Sequence, residues 1–304
     1  MTVLNNASIA ADEAGPLFVT RRPHGALAKQ VELLWLWHSP MRSGGMDRMM
    51  PTGAASLILN LQEDEIRIYD GRSARLAARL EGAVFVGVYA HSFAIDTAEQ
   101  VSVAGVSFHP GGAWPFMRMA QHELSNAHVP LREIWGTGGA SLRERIVSAA
   151  TPQAGLVVLE RALQDYLCRP LARHPAVAVA LREIERNPLA RIGALSERCS
   201  LSSRRLSRVF ELEVGMTPKR YARLLRFRRV LSQAHGRAAL DWPELALECG
   251  YHDQPHLIHD FKAFSGFTPS EYLSRAGEFA NHVPIDTMAD AERSENGPGG
   301  ESAR

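Results

Sequence analysis

The sequence predicts an α+β chain of more than one domain. A β-rich amino-terminal part folds as a barrel or sandwich, a helical connector follows, and two helix-turn-helix units form an all-α carboxyl-terminal part. Three observations carry this expectation. Between about residues 17 and 108, short apolar runs alternate with polar residues at a period of two. From about Trp114 onward the apolar spacing becomes helical. Finally, two stretches near the carboxyl end repeat each other at an offset of 51 residues. The expected boundaries are 1–136 for the β-rich domain, 137–172 for the connector, 173–276 for the double helix-turn-helix and 277–304 for a disordered tail.

The 304 residues are 45% hydrophobic and 22% charged, as in ordinary globular proteins. No apolar run approaches the roughly 18–20 residues needed to cross a bilayer. The amino terminus lacks the basic start and apolar core of a secretory signal, so a cytoplasmic protein without a membrane partner is expected. Cys168, Cys199 and Cys249 are odd in number and far apart, which suits reduced thiols rather than a disulfide framework. The net charge of +1 hides an asymmetry. Residues 173–275 hold 17 Lys and Arg against 11 Asp and Glu, a net of +6, while the remainder carries −5. A basic module on an acidic remainder is the footprint of a nucleic-acid binder.

Residues 1–15 are small and polar, and fraying is expected there. Ser56–Leu61 and Glu65–Tyr69 flank the acidic turn Glu63-Asp64, and Ile66 and Ile68 alternate with Glu65, Arg67 and Tyr69 as in a strand. Ala83–Tyr89 and Gln100–Phe108 are further strand candidates, and His109-Pro110-Gly111-Gly112 breaks the pattern. Ser141 and Glu144 have the spacing of a capping box. Thr151-Pro152 opens another helix, whose stripe Leu156, Leu159, Leu163 and Tyr166 or Leu167 makes an apolar face. The span 137–169 thus reads as a helical hairpin joining two domains. The last residues, from 276 on, are too poor in apolar side chains to fold.

In the repeat, Leu206, Phe210, Gly215, Thr217, Pro218 and Tyr221 recur in register as Leu257, Phe261, Gly266, Thr268, Pro269 and Tyr272. The first copy predicts a helix ending near Cys199, a turn at Ser200-Leu201, and a second helix over 203–212 capped by Ser202 and closed by Gly215. Leu206, Val209 and Phe210 face inward, leaving Ser203, Arg204, Ser207 and Arg208 outside with Arg205 flanking. The second copy opens at Asp241-Trp242-Pro243, turns at Gly250 and caps its second helix with Asp253. Leu257, Ile258 and Phe261 face inward there, and Gln254, His256 and His259 outward. This is the geometry that lays a second helix in a DNA major groove. Between the units, Thr217-Pro218 starts a helix unbroken to about Ala234. At about 1.5 Å per residue it spans roughly 25 Å, a rod able to set two reading helices about one DNA turn apart. Arg223, Arg226 and Arg229 share a side of it and are expected to contact phosphates.

Residues 175–275 resemble the DNA-binding domain of the AraC/XylS family of transcription regulators. The resemblance rests on Leu206-x-Arg208-x-Phe210, Gly215-x-Thr217-Pro218-x-x-Tyr221, Gly250-Tyr251, Asp253-Gln254-x-His256-Leu257, Phe261-Lys262, Phe264 and Gly266-Phe267-Thr268-Pro269-x-x-Tyr272. It implies two units on a long helix, each reading a major groove of double-stranded DNA. Base contacts are implied at Arg204, Ser207 and Arg208, and at Gln254, His256 and His259, with Lys262 joining the set. Two departures stand out: Pro255 replaces a small polar residue, and His259 stands where Arg is common. More weakly, residues 17–135 resemble the cupin-like sensor domain of a subgroup of that family, through Met50–Asn60, Gly105–Ala113, Val129-Pro130-Leu131 and Trp135-Gly136. This implies a barrel able to hold a small molecule, with Trp35, Trp37, Phe85, Phe108 and Trp114 as candidate walls.

Other chemistries find little support. His252, His256 and His259 with Cys249 lack a fourth zinc ligand of fitting spacing. There is no His-x-His pair, Gly-x-Ser-x-Gly elbow or Walker loop. The expectation is therefore a non-enzymatic regulator, an activator by class, without cofactor or metal. Its expected partners are DNA, a small-molecule effector, a second copy of the chain and, for an activator, RNA polymerase. The alternatives are a metal-dependent cupin enzyme fused to a DNA-binding domain and a constitutive regulator without a ligand. Arg208 and Gln254 suit bidentate pairing with guanine and adenine. Arg208→Ala is expected to cost roughly 1–3 kcal/mol at one base position, measured with duplexes varied one pair at a time. Equal weakening on every duplex would make Arg208 a phosphate contact instead.

Overall fold

Among the described residues, two antiparallel sheets, three α-helices packed on one of them and seven further α-helices build the fold. The computed structural model describes residues 15–39, 44–71, 73–237, 239–277 and 280–285. Residues 1–14, where fraying was expected, and 286–304 of the expected tail lie outside the described residues.

The strands are β1 (Leu17–Arg21), β2 (Val31–His38), β3 (Met46–Met49), β4 (Ser56–Asn60), β5 (Glu65–Tyr69), β6 (Leu76–Glu81), β7 (Ala83–Val86), β8 (Phe93–Asp96), β9 (Ser102–Phe108), β10 (His128–Pro130) and β11 (His282–Ile285). One sheet runs β1-β2-β9-β4-β7-β10 and the other β11-β3-β8-β5-β6. The two sheets form the expected β-rich domain, and β4, β5, β7 and β9 fall where the period of two placed them. The short β6 and β8 carry no such run.

Alternation along these strands separates two faces of the larger sheet. Leu34, Val106, Leu57 and Phe85 are cross-strand neighbours and are buried together, as are Leu36, Ala104 and Leu59. Against this face lie α1 (Leu131–Trp135), α2 (Thr137–Val147) and α3 (Pro152–Asp165). On the opposite face, Trp35, Gly105, Ile58 and Val84 form another cross-strand row. There, Ile58, Ile66, Leu80 and Phe93 pack on Val84, Val86 and Tyr89 between the sheets. Gly105 is required, because a Cβ there would sit 2.4 Å from the Trp35 ring.

The stripe Leu156, Leu159, Leu163 is fully buried, and α3 packs on β1 and β2. The segment 137–169, expected as a helical hairpin joining two domains, thus lies as a layer on the larger sheet. Two expectations change here. Ser141 does not cap a helix: α2 begins four residues earlier, at Thr137, and the Ser141 hydroxyl bonds the Gly138 carbonyl. A glycine at 139 lets α2 start that close to α1, since a Cβ would meet the Leu131 carbonyl at 2.5 Å. Thr151 does cap α3, accepting from the Ala154 N–H. The expected aromatic pocket is also divided. Phe85 and Phe108 are buried on the helix side, Trp35 and Trp37 face the other sheet, and Trp114 lies under the Arg169 guanidinium at 4.0 Å.

The remaining helices are α4 (Pro175–Arg186), α5 (Ile192–Arg198), α6 (Ser203–Val214), α7 (Pro218–Ala234), α8 (Trp242–Glu248), α9 (Gln254–Ser265) and α10 (Pro269–Arg275). Their buried side chains continue the apolar cluster of the β domain without a break. After α10 the chain returns to the β domain as β11, which corrects the tail reading for residues 282–285. Val283 is fully buried and β11 pairs with β3 in antiparallel register. Apolar content was too low for an independent fold, but Val283, Ile285 and a strand edge suffice to dock four residues. The Met50 N–H donates to the Asn281 carbonyl, and the Tyr272 hydroxyl to that of Ala280.

In the β domain, burial pushes the His128 imidazole down to about 4. Its Nδ1 lies 2.7 Å from the Tyr89 hydroxyl. A histidine depressed from an ordinary value of about 6.5 favours folding above that pH, and the contribution is lost as pH falls toward 4. Thermal stability is expected to drop across that window in circular-dichroism melts, and His128→Gln to make the drop shallower. Val283→Asp should lower stability by about 3 kcal/mol, because it buries an unpaired charge. Pro284→Ser, at the exposed neighbour, should stay within about 0.5 kcal/mol.

Candidate nucleic-acid interface

Each unit is built by the same local devices. In the first, the α5–α6 turn holds Ser200 in the left-handed region at φ 52°, and the Leu201 N–H donates to the Ser196 carbonyl. The Ser202 hydroxyl then accepts from the Arg205 N–H and starts α6. In the second, Gly250 takes the equivalent turn at φ 83°, and Tyr251 N–H donates to Ala246. The Asp253 carboxylate accepts from the His256 N–H and starts α9. Both second helices end on a left-handed glycine, Gly215 at φ 90° and Gly266 at φ 77°. A side chain at either position would be strained.

Leu206 and Phe210 of α6, and Leu257 and Phe261 of α9, are fully buried, as the repeat predicts. The rod is α7, 17 residues from Pro218 to Ala234 with Thr217 as cap. It packs on both units: Tyr221 lies 5.8 Å from Phe210, and Phe227 lies 5.1 Å from Phe261.

The outward face of α6 is open. Ser203, Arg204, Arg205 and Arg208 are exposed and Ser207 is half-buried. Ser203 Oγ lies 3.0 Å from Ser196 Oγ, which ties it to α5. The Arg208 guanidinium has no hydrogen bond or ion pair among the described residues. On α9, His259 and Lys262 are exposed and Gln254 is half-buried. His256 is turned sideways, its ring edge on Tyr251 at 5.2 Å and its Nε2 3.9 Å from Asp260.

The arginines of α7 do not lie as expected. Arg223 donates to the Asp260 carboxylate through Nη2 at 2.6 Å and Nε at 3.3 Å. Arg226, whose side chain is 13% exposed, reaches the same carboxylate at 3.7 Å and donates to the Gly250 carbonyl. Arg229 donates to the carbonyls of Glu185 and Arg186, closing the end of α4. The guanidiniums of Arg223 and Arg226, both expected at phosphates, thus engage Asp260, with Arg223 still half-exposed. Their periodicity was legible, but it matches a buried acid on the neighbouring helix. That acid, Asp260, stands where its repeat partner is Val209, so the repeat gives no sign of a charge there.

Both units also rest on the β domain. The Gly215 carbonyl accepts from the Ser125 hydroxyl, and Val88 lies against Gly215. In the second unit the Ser92 N–H donates to Phe264 at 2.8 Å and its hydroxyl to Ser265 at 3.0 Å. Arg48 stacks on Phe267 with 3.9 Å to the ring centre. Arg228 of α7 donates to the Thr52 carbonyl at 2.8 Å. Two glycine caps related by the repeat are thus held by one short stretch, residues 88–92, together with Ser125 and Arg48.

Among the described residues, no group of three His, Cys, Asp or Glu is arranged to hold a metal, and no helix is long and apolar enough to cross a membrane. The cysteines are free thiols, with Cys249 buried and Cys168 exposed.

Residues 195–275 match the family described as Helix-turn-helix domain, HTH_18, and residues 19–130 match a domain of unknown function, DUF6597. No curated protein matches the chain. Among solved structures, it is similar to the C-terminal domain of AraT, a response regulator from Geobacillus stearothermophilus. That match has 22% identity over 35% of this chain and 91% of that one, with a TM-score of 0.32. A probable AraC family transcriptional regulator from Rhodopseudomonas palustris matches at 26% identity over 33% of this chain and 96% of that one, with a TM-score of 0.31. ToxT from Vibrio cholerae matches at 10% identity over 84% of this chain and 98% of that one, with a TM-score of 0.42. The helix-turn-helix match covers both capped units and the rod between them: residues 195–275 form an AraC-type helix-turn-helix domain, and by that domain the chain is a DNA-binding transcription regulator.

Proposed function

We propose that α6 and α9 enter successive major grooves along one side of double-stranded DNA, and that the β domain governs how they do so. The observation that carries this is a pair of capped helices, each held by its buried face on one 17-residue rod, with polar outer faces left open. Ser203, Arg204, Arg205, Ser207 and Arg208 read or brace the first half-site. Gln254, His259 and Lys262 do so in the second, with His256 at its margin. The α7 arginines stiffen the domain rather than touch phosphate.

The β domain, residues 17–136, is read as the sensor and as the place where a second copy would join. Helices α2 and α3 belong to its outer layer, and the reading domain runs from about 173 to 276. The inter-sheet face bearing Trp35, Trp37, Ile58 and Phe93 offers a half-buried apolar surface for a small-molecule effector. An effector acts only through different affinity for two arrangements of the protein. The docking of both glycine caps on the β domain supplies an interface through which such a difference would reach both reading helices. The reading includes no catalytic step and no cofactor. It places the protein in the cytoplasm, with RNA polymerase as a further partner if it activates.

Selection from a random duplex pool with the full chain is expected to yield two motifs about one helical turn apart. Affinity for the winning duplex should fall steeply with salt, as neutralised phosphates require. A single short motif, or affinity flat from about 50 to 200 mM salt, would contradict the two-groove reading. Ser92→Ala with Arg48→Gln should alter DNA affinity of the full chain although neither residue faces DNA; unchanged affinity would sever the proposed link between the domains.

A further inference from the structure

The second unit buries a charge where its reading helix meets the rod; the buried carboxylate of the first unit, Glu213, instead accepts from the His174 N–H before α4. Asp260 is 1% exposed on the inner side of α9, and its counterpart in the repeat is Val209, which packs in an apolar core. The carboxylate is enclosed by Arg223 and Arg226 from α7, with His256 one turn back on its own helix. Arg226 also donates to the Gly250 carbonyl at the α8–α9 turn and lies over the Tyr251 ring at 5.0 Å. The rod therefore grips the second unit at the turn and on the reading helix through the same pair of guanidiniums. Apolar contacts tolerate sliding and rolling, because they have no direction. A carboxylate between two guanidiniums does not, since its attraction survives burial only when the hydrogen-bond geometry is good.

We infer that Asp260 is a positioning residue for DNA recognition: through Arg223, Arg226 and His256 it sets the roll of α9 against α7, and so decides which base edges the second unit reads. This rests on the reading that α9 enters a groove. The first unit has valine at the corresponding place, so its reading helix meets the rod there through apolar packing. Asp260 touches no base; it acts by where it holds the helix.

The test compares position-by-position discrimination of the full chain and its variants on the selected duplex. Arg208→Ala and His259→Ala assign base pairs to α6 and to α9. Asp260→Asn keeps the shape and removes the charge. It is expected to lose at least tenfold in discrimination under α9, with less than a twofold change under α6, and Asp260→Glu to recover part of the loss. Arg223→Gln, at the half-exposed partner, should act in the same direction but less, and provides the comparison if Asp260→Asn folds poorly. Val209→Ala should do the reverse, disturbing the pairs under α6. Equal loss under both helices in Asp260→Asn and Arg223→Gln would reduce Asp260 to a general stabiliser and overturn the inference, as would no loss under either. Should the wild-type chain select no sequence at all, the groove reading falls first and the inference with it. Should the wild type select two motifs while these variants leave the second untouched, only the inference falls.

Discussion

One helix keeps two independent units in register. Tyr221, Leu224, Phe227, Val230 and Leu231 of α7 are buried, and they are shared between the first unit, the second unit and the β domain. A 17-residue helix alone would be marginal in water, and its stability comes from the surfaces packed around it. Losing its apolar side would release both reading helices together. The spacing between them is thus a property of a core, not of a linker.

The two units solve the same problem by different chemistry. Both use a side-chain oxygen to start the reading helix and a left-handed glycine to end it. Their faces toward the rod differ: Val209 and Phe210 in one, phenylalanines and an ion cluster around Asp260 in the other. The ion cluster also accounts for arginines that would otherwise face solvent. In a basic domain, pairing two guanidiniums with one buried carboxylate lowers the number of free cations near DNA while fixing a direction.

The β domain does more than precede the reading domain in sequence. Its 88–92 stretch, with Ser125 and Arg48, meets both glycine caps, and the chain returns to it as β11 after the last helix. Each cap leaves a carbonyl that a helix cannot satisfy internally, and Ser92 and Ser125 supply hydroxyls to those carbonyls or their neighbours. The reading domain is accordingly anchored at both of its ends in sequence and at both of its repeats.

Much of the reading domain was legible in the chain itself, because its determinants are local. Caps such as Ser202, Thr217, Asp241 and Asp253 act within three residues, glycines such as Gly215 and Gly266 are demanded by a backbone angle, and an apolar stripe shows itself by period. The outward faces followed from the same periodicity, Arg208 among them. What tertiary structure decided was everything that depends on distant neighbours. Arg223 and Arg226 have the spacing of a solvent-facing stripe, and only the approach of α9 with Asp260 turned them inward. Ser141 carried a capping signal that lost to a closer start permitted by Gly139 against α1. His282–Ile285 had too little apolar surface to fold by themselves and acquired structure from the unpaired edge of β3. A backbone angle or a cap is settled within one turn of helix; the partner of a charge, or the edge that receives a strand, is settled only when remote segments meet.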